Sequence, residues 1–322
     1  IDGLFDPAKY VSWLRDRMGS SCFIVAEKIL EAHEAMPEKW RLEGTSGYEF
    51  LSYVNQLITD RRSGKRLLEF YRKVVPELEP YTKLVTSNKR LILEDYMQGE
   101  WDNLTHLLFE SGLHGNFQKQ RLKQAIGYFM ISVRVYRIYP ERLPLSHNER
   151  SVLDEAFRSA LIAGRDYEEE IAHLRSLFLE DTADAGMRQN ALQFLKRLMQ
   201  FTGPLMAKGV EDTTFYVYNP LISHDEVGDA PSTLGITAEA FHSRMLNRMS
   251  KSAHSLNASS THDTKRGEDA RLRLNVLSEL PEIWEKNVTE WIELNLPLKT
   301  HINGNEAPTV NDEYLIYQAL IG

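Results

Sequence analysis

Leu122-Lys123-Gln124-Ala125-Ile126-Gly127-Tyr128-Phe129-Met130-Ile131-Ser132-Val133 sets its main apolar side chains at Leu122, Ala125, Ile126, Phe129, Met130 and Val133. The spacing i, i+3, i+4, i+7 places them on one face of a 3.6-residue helix, which predicts an amphipathic helix buried along one stripe. The same period continues on both sides. Leu104, Leu107 and Leu108 precede it; Ser146 and Glu149 have capping-box spacing ahead of Val152, Leu153 and Phe157; and residues 187–201 read as a further helix that Gly203-Pro204 stops. The helical period therefore dominates from about Tyr48 to Met249. Residues 216–235 interrupt it: Asn219-Pro220, Gly228 and Pro231 predict an irregular loop long enough to be functional.

The flanks read differently. Tyr10, Val11 and Leu14 give a helix over residues 7–18, and the apolar run Cys22-Phe23-Ile24-Val25-Ala26 predicts a buried strand. Residues 27–35 continue as a helix or as loop before Pro37 and Gly44 punctuate the chain. Toward the other end, Ser255-Leu256-Asn257-Ala258-Ser259-Ser260 reads as an extended run, followed by helical patterns over 268–277, 280–294 and 311–321. No internal repeat is visible. The expectation is an α/β chain, predominantly helical, with strand confined to short segments near its two ends.

Composition bounds the function. The 322 residues are 42% hydrophobic and 26% charged, enough for one or two cored domains and unlike a disordered chain. A net charge of -8 argues against a nucleic-acid backbone as the main partner. No apolar stretch approaches the roughly 20 residues that span a bilayer, and no signal peptide is seen. The single cysteine, Cys22, sits in an apolar run; a buried inert thiol and a reducing, cytoplasmic setting are expected.

Three apolar runs each end in ionisable groups, which suggests one shared polar site. The Cys22–Ala26 run ends in Glu27-Lys28. The Ser255–Ser260 run ends in Thr261-His262-Asp263-Thr264-Lys265-Arg266. The third, Pro204-Leu205-Met206-Ala207, leads into Lys208-Gly209-Val210-Glu211-Asp212. Each has a plainer reading. Glu27 and Lys28 are suited to the solvated first turn of a helix, or Glu27 is a general acid raised by an apolar surround. Asp263 is suited to a helix N-cap and His262 to a buried hydrogen bond, yet His262, Asp263, Lys265 and Arg266 are hard to seat together on a solvated face and suit an anionic or polyhydroxylated substrate. Lys208, Glu211 and Asp212 are equally suited to local ion pairs. The ten histidines include no H-x-x-x-H pair, and no EF-hand loop, glycine-rich phosphate loop or serine nucleophile elbow appears, so no metal is expected.

At these residues the chain resembles the maltooligosyltrehalose synthase family of the α-amylase superfamily. Ile24-Val25-Ala26-Glu27-Lys28-Ile29-Leu30 resembles the family's acid-bearing strand, and Gly44-Thr45-Ser46-Gly47-Tyr48-Glu49-Phe50-Leu51 its G-T-T-G-Y-D-F-L loop. The segment from Gln200 to Thr213, the motif Ser260-Thr261-His262-Asp263-Thr264-Lys265-Arg266 and the segment Asn311-Asp312-Glu313-Tyr314-Leu315-Ile316-Tyr317-Gln318 are similar to further signatures. The resemblance implies a partial (β/α)8 barrel built from the later strands. Residues 1–46 would carry the acid/base strand; residues 47–250 would be a mainly helical insertion with a short barrel strand near 204–208; residues 251–322 would carry the His-Asp strand.

Carried over, Glu27 is the acid/base and Asp263 the carboxylate that stabilises the oxocarbenium-like transition state. His262 bonds sugar hydroxyls, and Tyr48, Lys208, Glu211, Asp212, Lys265 and Arg266 contact substrate. The implied reaction converts the reducing-end α-1,4 link of a maltooligosaccharide into an α,α-1,1 link, with no cofactor; a related α-glucan hydrolase or glucanotransferase is the second reading, and an inactive helical carbohydrate-binding fragment the third. The sequence departs from the family at Val217, where Arg is usual, and at Ser223-His224-Asp225-Glu226, where Ser-Leu-Asn-Glu is usual. Ile1-Asp2-Gly3-Leu4-Phe5-Asp6-Pro7 resembles the end of the family's R-I-D-H-x-D-G-L-x-D-P segment. That alignment puts the nucleophilic aspartate upstream of Ile1 and matches Asp2 to the second aspartate.

Overall fold

The computed structural model describes residues 3–31, 34–37 and 39–322. It divides into two compact units: Ile1–Cys22 with Lys39–Arg41 and Thr82–Thr213, and Phe23–Glu38 with Leu42–Tyr81 and Thr214–Gly322.

The first unit is helical. Around the central helix Lys119–Ser132 stand Gln98–Glu110, His147–Ala163, Glu168–Leu179 and Ala185–Met206. Leu122, Ala125, Ile126, Phe129 and Met130 are all fully buried, as their spacing predicts, and Phe129 stacks on Phe157 at 4.4 Å between ring centroids. Each such large apolar side chain contributes roughly 1.5–3 kcal/mol by leaving water. Ser146 and Glu149 form the reciprocal capping box that starts His147–Ala163. Asp6 caps Pro7–Met18 through the Lys9 N–H and pairs with Lys196 at 2.7 Å.

Gly203-Pro204 does not stop its helix. Ala185–Met206 runs through both residues and widens into a π-helical turn, Ala207–Glu211, closed by the Asp212 N–H on the Ala207 carbonyl at 3.0 Å. One of the ways a proline disfavours helix is the clash of its ring with the Cβ of the residue before it, and Gly203 has none. The strand expected near 204–208 is therefore helix.

The second unit carries the strands. Val25–Ala26 pairs in parallel with Gly44–Thr45, Val25 opposite Gly44 and Ala26 opposite Thr45. The expected strand from Cys22 is cut short: the Cys22 carbonyl is taken by the Arg15 guanidinium at 2.6 Å, and Phe23 is 57% exposed rather than buried. Cys22 itself is half-buried, not enclosed. Residues 27–31 form no helix, and Lys28 is buried against Glu34 at 2.8 Å rather than solvated.

The 255–260 run is not a strand either. Leu256 N–H donates to Thr45 O at 2.9 Å, but the Thr45 N–H goes to the Ser255 hydroxyl at 2.8 Å, a side chain standing in for a ladder carbonyl. That approach needs glycine. A Cβ on Gly44 would lie 2.6 Å from Ser255 Cα, and one on Gly47, whose φ is +97°, would lie 2.2 Å from Leu256 O.

A hairpin not foreseen in the sequence, Thr300–Ile302 with Asn305–Ala307, turns through Asn303 and Gly304 at positive φ, as its tight turn requires. These two pairs are the sheets of the described residues, which close no barrel; the chain is mainly helical. No described helix is long and apolar enough to cross a membrane.

The irregular stretch after Tyr216 is mostly buried from Asn219 to Val227. Several of its backbone groups are bonded by side chains of surrounding helices. The Tyr71 hydroxyl accepts from Asn219 N at 2.9 Å, Gln318 accepts from Ile222 N at 2.9 Å and donates to Asn219 O at 2.8 Å, and Asn55 donates to Ser223 O at 2.8 Å.

Candidate functional site

Glu27 leaves the Val25–Ala26 strand, and Tyr48 opens the helix Tyr48–Leu57 immediately after the left-handed Gly47. The Tyr48 hydroxyl donates to Glu27 Oε1 at 2.9 Å and accepts from the Thr261 hydroxyl at 3.2 Å. Thr261 also accepts the Asp263 N–H at 3.2 Å, which folds His262 and Asp263 into a tight turn. His262 Nε2 lies 3.7 Å from Glu27 Oε1, and ligand atoms of Glu27, His262 and Asp263 are all within 4.8 Å of one another. The fold thus brings together two carboxylates, an imidazole and a phenol from segments more than 200 residues apart.

The surroundings of Glu27 are polar and open. Its side chain is 51% exposed and that of His262 73%, so the apolar enclosure expected around the acid is not what surrounds Glu27 here. Tyr48, by contrast, is 1% exposed. Burial, with the Glu27 carboxylate adding to it against the Thr261 hydrogen bond, pushes its phenol well above the ordinary range and keeps it a proton donor. The plainer readings of the His-Asp pair do not apply: the following helix, Glu268–Asn275, is capped at Gly267, and His262 is exposed. Glu27, His262 and Asp263 have donor atoms close enough to hold a metal ion, a grouping that only the fold creates.

The remaining candidates have partners of their own. Lys208 pairs with Asp212 at 2.6 Å, and buried Glu211 bonds the Tyr136 hydroxyl, all within the first unit. Lys265 is half-buried. The Arg266 guanidinium is directed at Ile222 O, 2.9 Å away, rather than at the His262-Asp263 pair. Asp2 lies outside the described residues.

Two residues of the site's support were not singled out in the sequence. Glu226, 1% exposed, accepts the backbone N–H groups of Lys265 at 2.7 Å and Arg266 at 3.1 Å. Buried Arg271 reaches Glu226 at 3.3 Å and donates to the carbonyls of Arg266, at 2.5 Å, and Ser259. Burial pushes the Glu226 carboxyl up, and the N–H groups and Arg271 pull it back. A buried Arg looks like any surface cation in a polar helix, so Arg271 left no signal. Neighbouring Asp225 is fully buried with neither carboxylate oxygen bonded; burial drives its pKa well up, Arg266 opposing and Asp229 and Glu226 adding to it.

No family model matches the chain. Among curated proteins it is 29% identical over 287 residues to a Mycobacterium tuberculosis protein assigned as a maltooligosyl trehalose synthase, a match covering 89% of this chain and 35% of that protein. Among solved structures, maltooligosyltrehalose synthase from Arthrobacter ramosus superposes with a TM-score of 0.82 at 31% identity, covering 99% of this chain and 38% of that one. A glycosyltrehalose synthase from strain DSM5389 gives 0.76 at 32%, covering 99% and 37%. The chain therefore spans little more than a third of the length of these relatives. By sequence and by fold it is homologous to one part of the maltooligosyl trehalose synthases.

Proposed function

We propose that this chain supplies the acid/base part of a retaining active site that converts the reducing-end α-1,4 link of a maltooligosaccharide into an α,α-1,1 link. The observation that carries the reading is the convergence of Glu27 with His262 and Asp263, within 4.8 Å, at the two motifs shared with the synthases. The parallel Val25–Ala26 and Gly44–Thr45 pair, with Leu256 bonded alongside, supports reading these segments as later strands of a (β/α)8 barrel interrupted by a helical insertion.

Glu27 donates its proton to the leaving glycosidic oxygen, which departs with the bonding pair. The Asp263 carboxylate faces the positive charge that develops at the anomeric carbon. Retention requires a further carboxylate that forms the glycosyl ester, and we assign it to the part of the longer enzyme that this chain does not span. The anomeric hydroxyl of the released glucose then attacks the anomeric carbon of the glycosyl ester, the carboxylate leaves with the bonding pair, and Glu27 takes the hydroxyl's proton. His262 is the open polar side chain beside the pair and is assigned to sugar hydroxyls. Isomerisation rather than hydrolysis depends on holding that glucose and excluding water. We place the enzyme in the cytoplasm, on the strength of its single cysteine.

In a full-length enzyme containing this segment, Glu27→Gln is expected to abolish formation of the trehalose-capped isomer from maltopentaose, and Asp263→Asn to impair it severely, with products resolved by chromatography. Free glucose or new reducing ends as the main product of the unmodified enzyme would favour a hydrolase or glucanotransferase instead. The chain alone is expected to give no turnover; robust turnover would move the nucleophile into this chain.

A further inference from the structure

We propose that Glu226 and Arg271 are positioning residues that hold the His262-Asp263 turn at Glu27, acting through the turn's backbone and not on substrate. The inference rests on the proposed reaction for its catalytic consequence, though not for its geometry.

The turn has little structure of its own. His262 and Asp263 are exposed, and among the described residues the hydrogen bonds fixing residues 261–264 to one another are short-range, between Thr261, Asp263 and Thr264. Such a turn, left alone, samples many orientations. The ends of the segment are different. On the C-terminal side both Lys265 N–H and Arg266 N–H point at one carboxylate, Glu226, at 2.7 and 3.1 Å. On the N-terminal side the Ser259 carbonyl receives Arg271, whose guanidinium also binds Arg266 O and Glu226 itself. One buried ion pair therefore clamps both ends of an eight-residue arch, 259–266, with His262 and Asp263 at its crown.

A buried carboxylate facing a buried guanidinium is costly to build and of doubtful value for stability alone. Its geometry here is that of an anchor: Glu226 lies on the buried 219–227 stretch and Arg271 on the Glu268–Asn275 helix, so the arch is referenced to two elements packed into the unit's interior. A misplacement of about 1 Å at reacting groups costs on the order of 100-fold in rate. The backbone of the arch is thus where a distant residue gains leverage on the catalytic carboxylates.

The test has two arms. In this chain, hydrogen exchange should show the Lys265 and Arg266 amides protected in the unmodified protein and released in Glu226→Gln, with the Lys119–Ser132 helix unchanged; equal protection in both would overturn the anchoring. In the full-length enzyme with maltopentaose, Glu226→Gln should lower kcat by roughly 10- to 100-fold with KM changed less than about threefold. In an Asp263→Ala background, where the carboxylate the arch positions is gone, the same substitution should cost less than about threefold. Full additivity with Asp263→Ala, or an unchanged kcat, would overturn the positioning role. Should Glu226→Gln not fold, Arg271→Lys, which keeps the charge and loses the forked contacts to Ser259 and Arg266, takes its place in both arms with the same expectations. An unmodified enzyme that fails to isomerise maltopentaose would sink the proposed reaction, leaving the exchange arm to decide the anchoring.

Discussion

At the scale of single residues, Tyr48 is the side chain whose chemistry is most constrained. Buried, held protonated and bonded between Thr261 and Glu27, it orients the Glu27 carboxyl and couples it to the turn that carries Asp263. Tyr48→Phe removes the donor while keeping the ring. A hydrogen bond to a charged group is worth about 1.5–3 kcal/mol, so kcat in the full-length enzyme should fall roughly 10- to 100-fold, measured on maltopentaose. An unchanged kcat would show that Glu27 is oriented without it.

Asp225 allows a test of the opposite kind, on stability. Its carboxyl is buried without a partner and its folded pKa is raised. Below the unfolded value, about 3.9, both states hold the proton and there is no penalty. Above it the unfolded chain ionises first, and stability is lost as pH rises toward the folded pKa. Asp225→Asn should therefore raise the thermal midpoint of this chain at pH 7, with the gain shrinking as pH falls and vanishing well below the unfolded value. A gain independent of pH would show that ionisation of Asp225 is not its source.

Among the elements, the short strands and the segments beside them decide where the chemistry sits, and glycine decides how closely they approach. Gly47 starts the Tyr48–Leu57 helix in a left-handed conformation directly beneath Leu256 O. Gly47→Ala would add both a strained φ and a Cβ 2.2 Å from that carbonyl, and is expected to destabilise the chain by more than about 2 kcal/mol, read as a lowered urea midpoint.

The helices were legible from sequence because their signal, a repeated apolar face, is carried by the residues that form the core; Leu122 to Met130 is the clearest case. The Gly203-Pro204 helix and the 255–260 segment were not. In the first, the missing Cβ of Gly203 removes one of the clashes by which proline ends a helix. In the second, Ser255 replaces a backbone partner with its hydroxyl, an exchange no periodicity records. The Glu27 and His262-Asp263 motifs could be read, whereas Glu226 and Arg271 are made important by burial and by long-range hydrogen bonds alone.

On the scale of the whole molecule, the chain matches little more than a third of each relative. In the second unit Leu280, Ile283, Leu294, Leu296, Leu298 and Leu320 are each at least 44% exposed, on or beside the Pro281–Asn295 and Val310–Ile321 helices. Contiguous exposed apolar patches mark association surfaces. The isolated chain is expected to self-associate with rising concentration in sedimentation experiments, and Leu298→Glu with Leu320→Glu to reduce that association. Monomeric behaviour at all concentrations would show that these residues form no cohesive patch.

The buried 219–227 stretch has a consequence for how this protein varies. Most connecting segments absorb insertions and deletions because water satisfies their backbone. Here the partners are Tyr71, Asn55 and Gln318, each fixed on a different helix, the first two bonded to one backbone position each and Gln318 to two. Adding or removing a single residue would put all of them out of step at once, whereas the exposed turn at Asn303-Gly304 has no such obligations. The stretch that looks least regular is for that reason the one whose length is most tightly held.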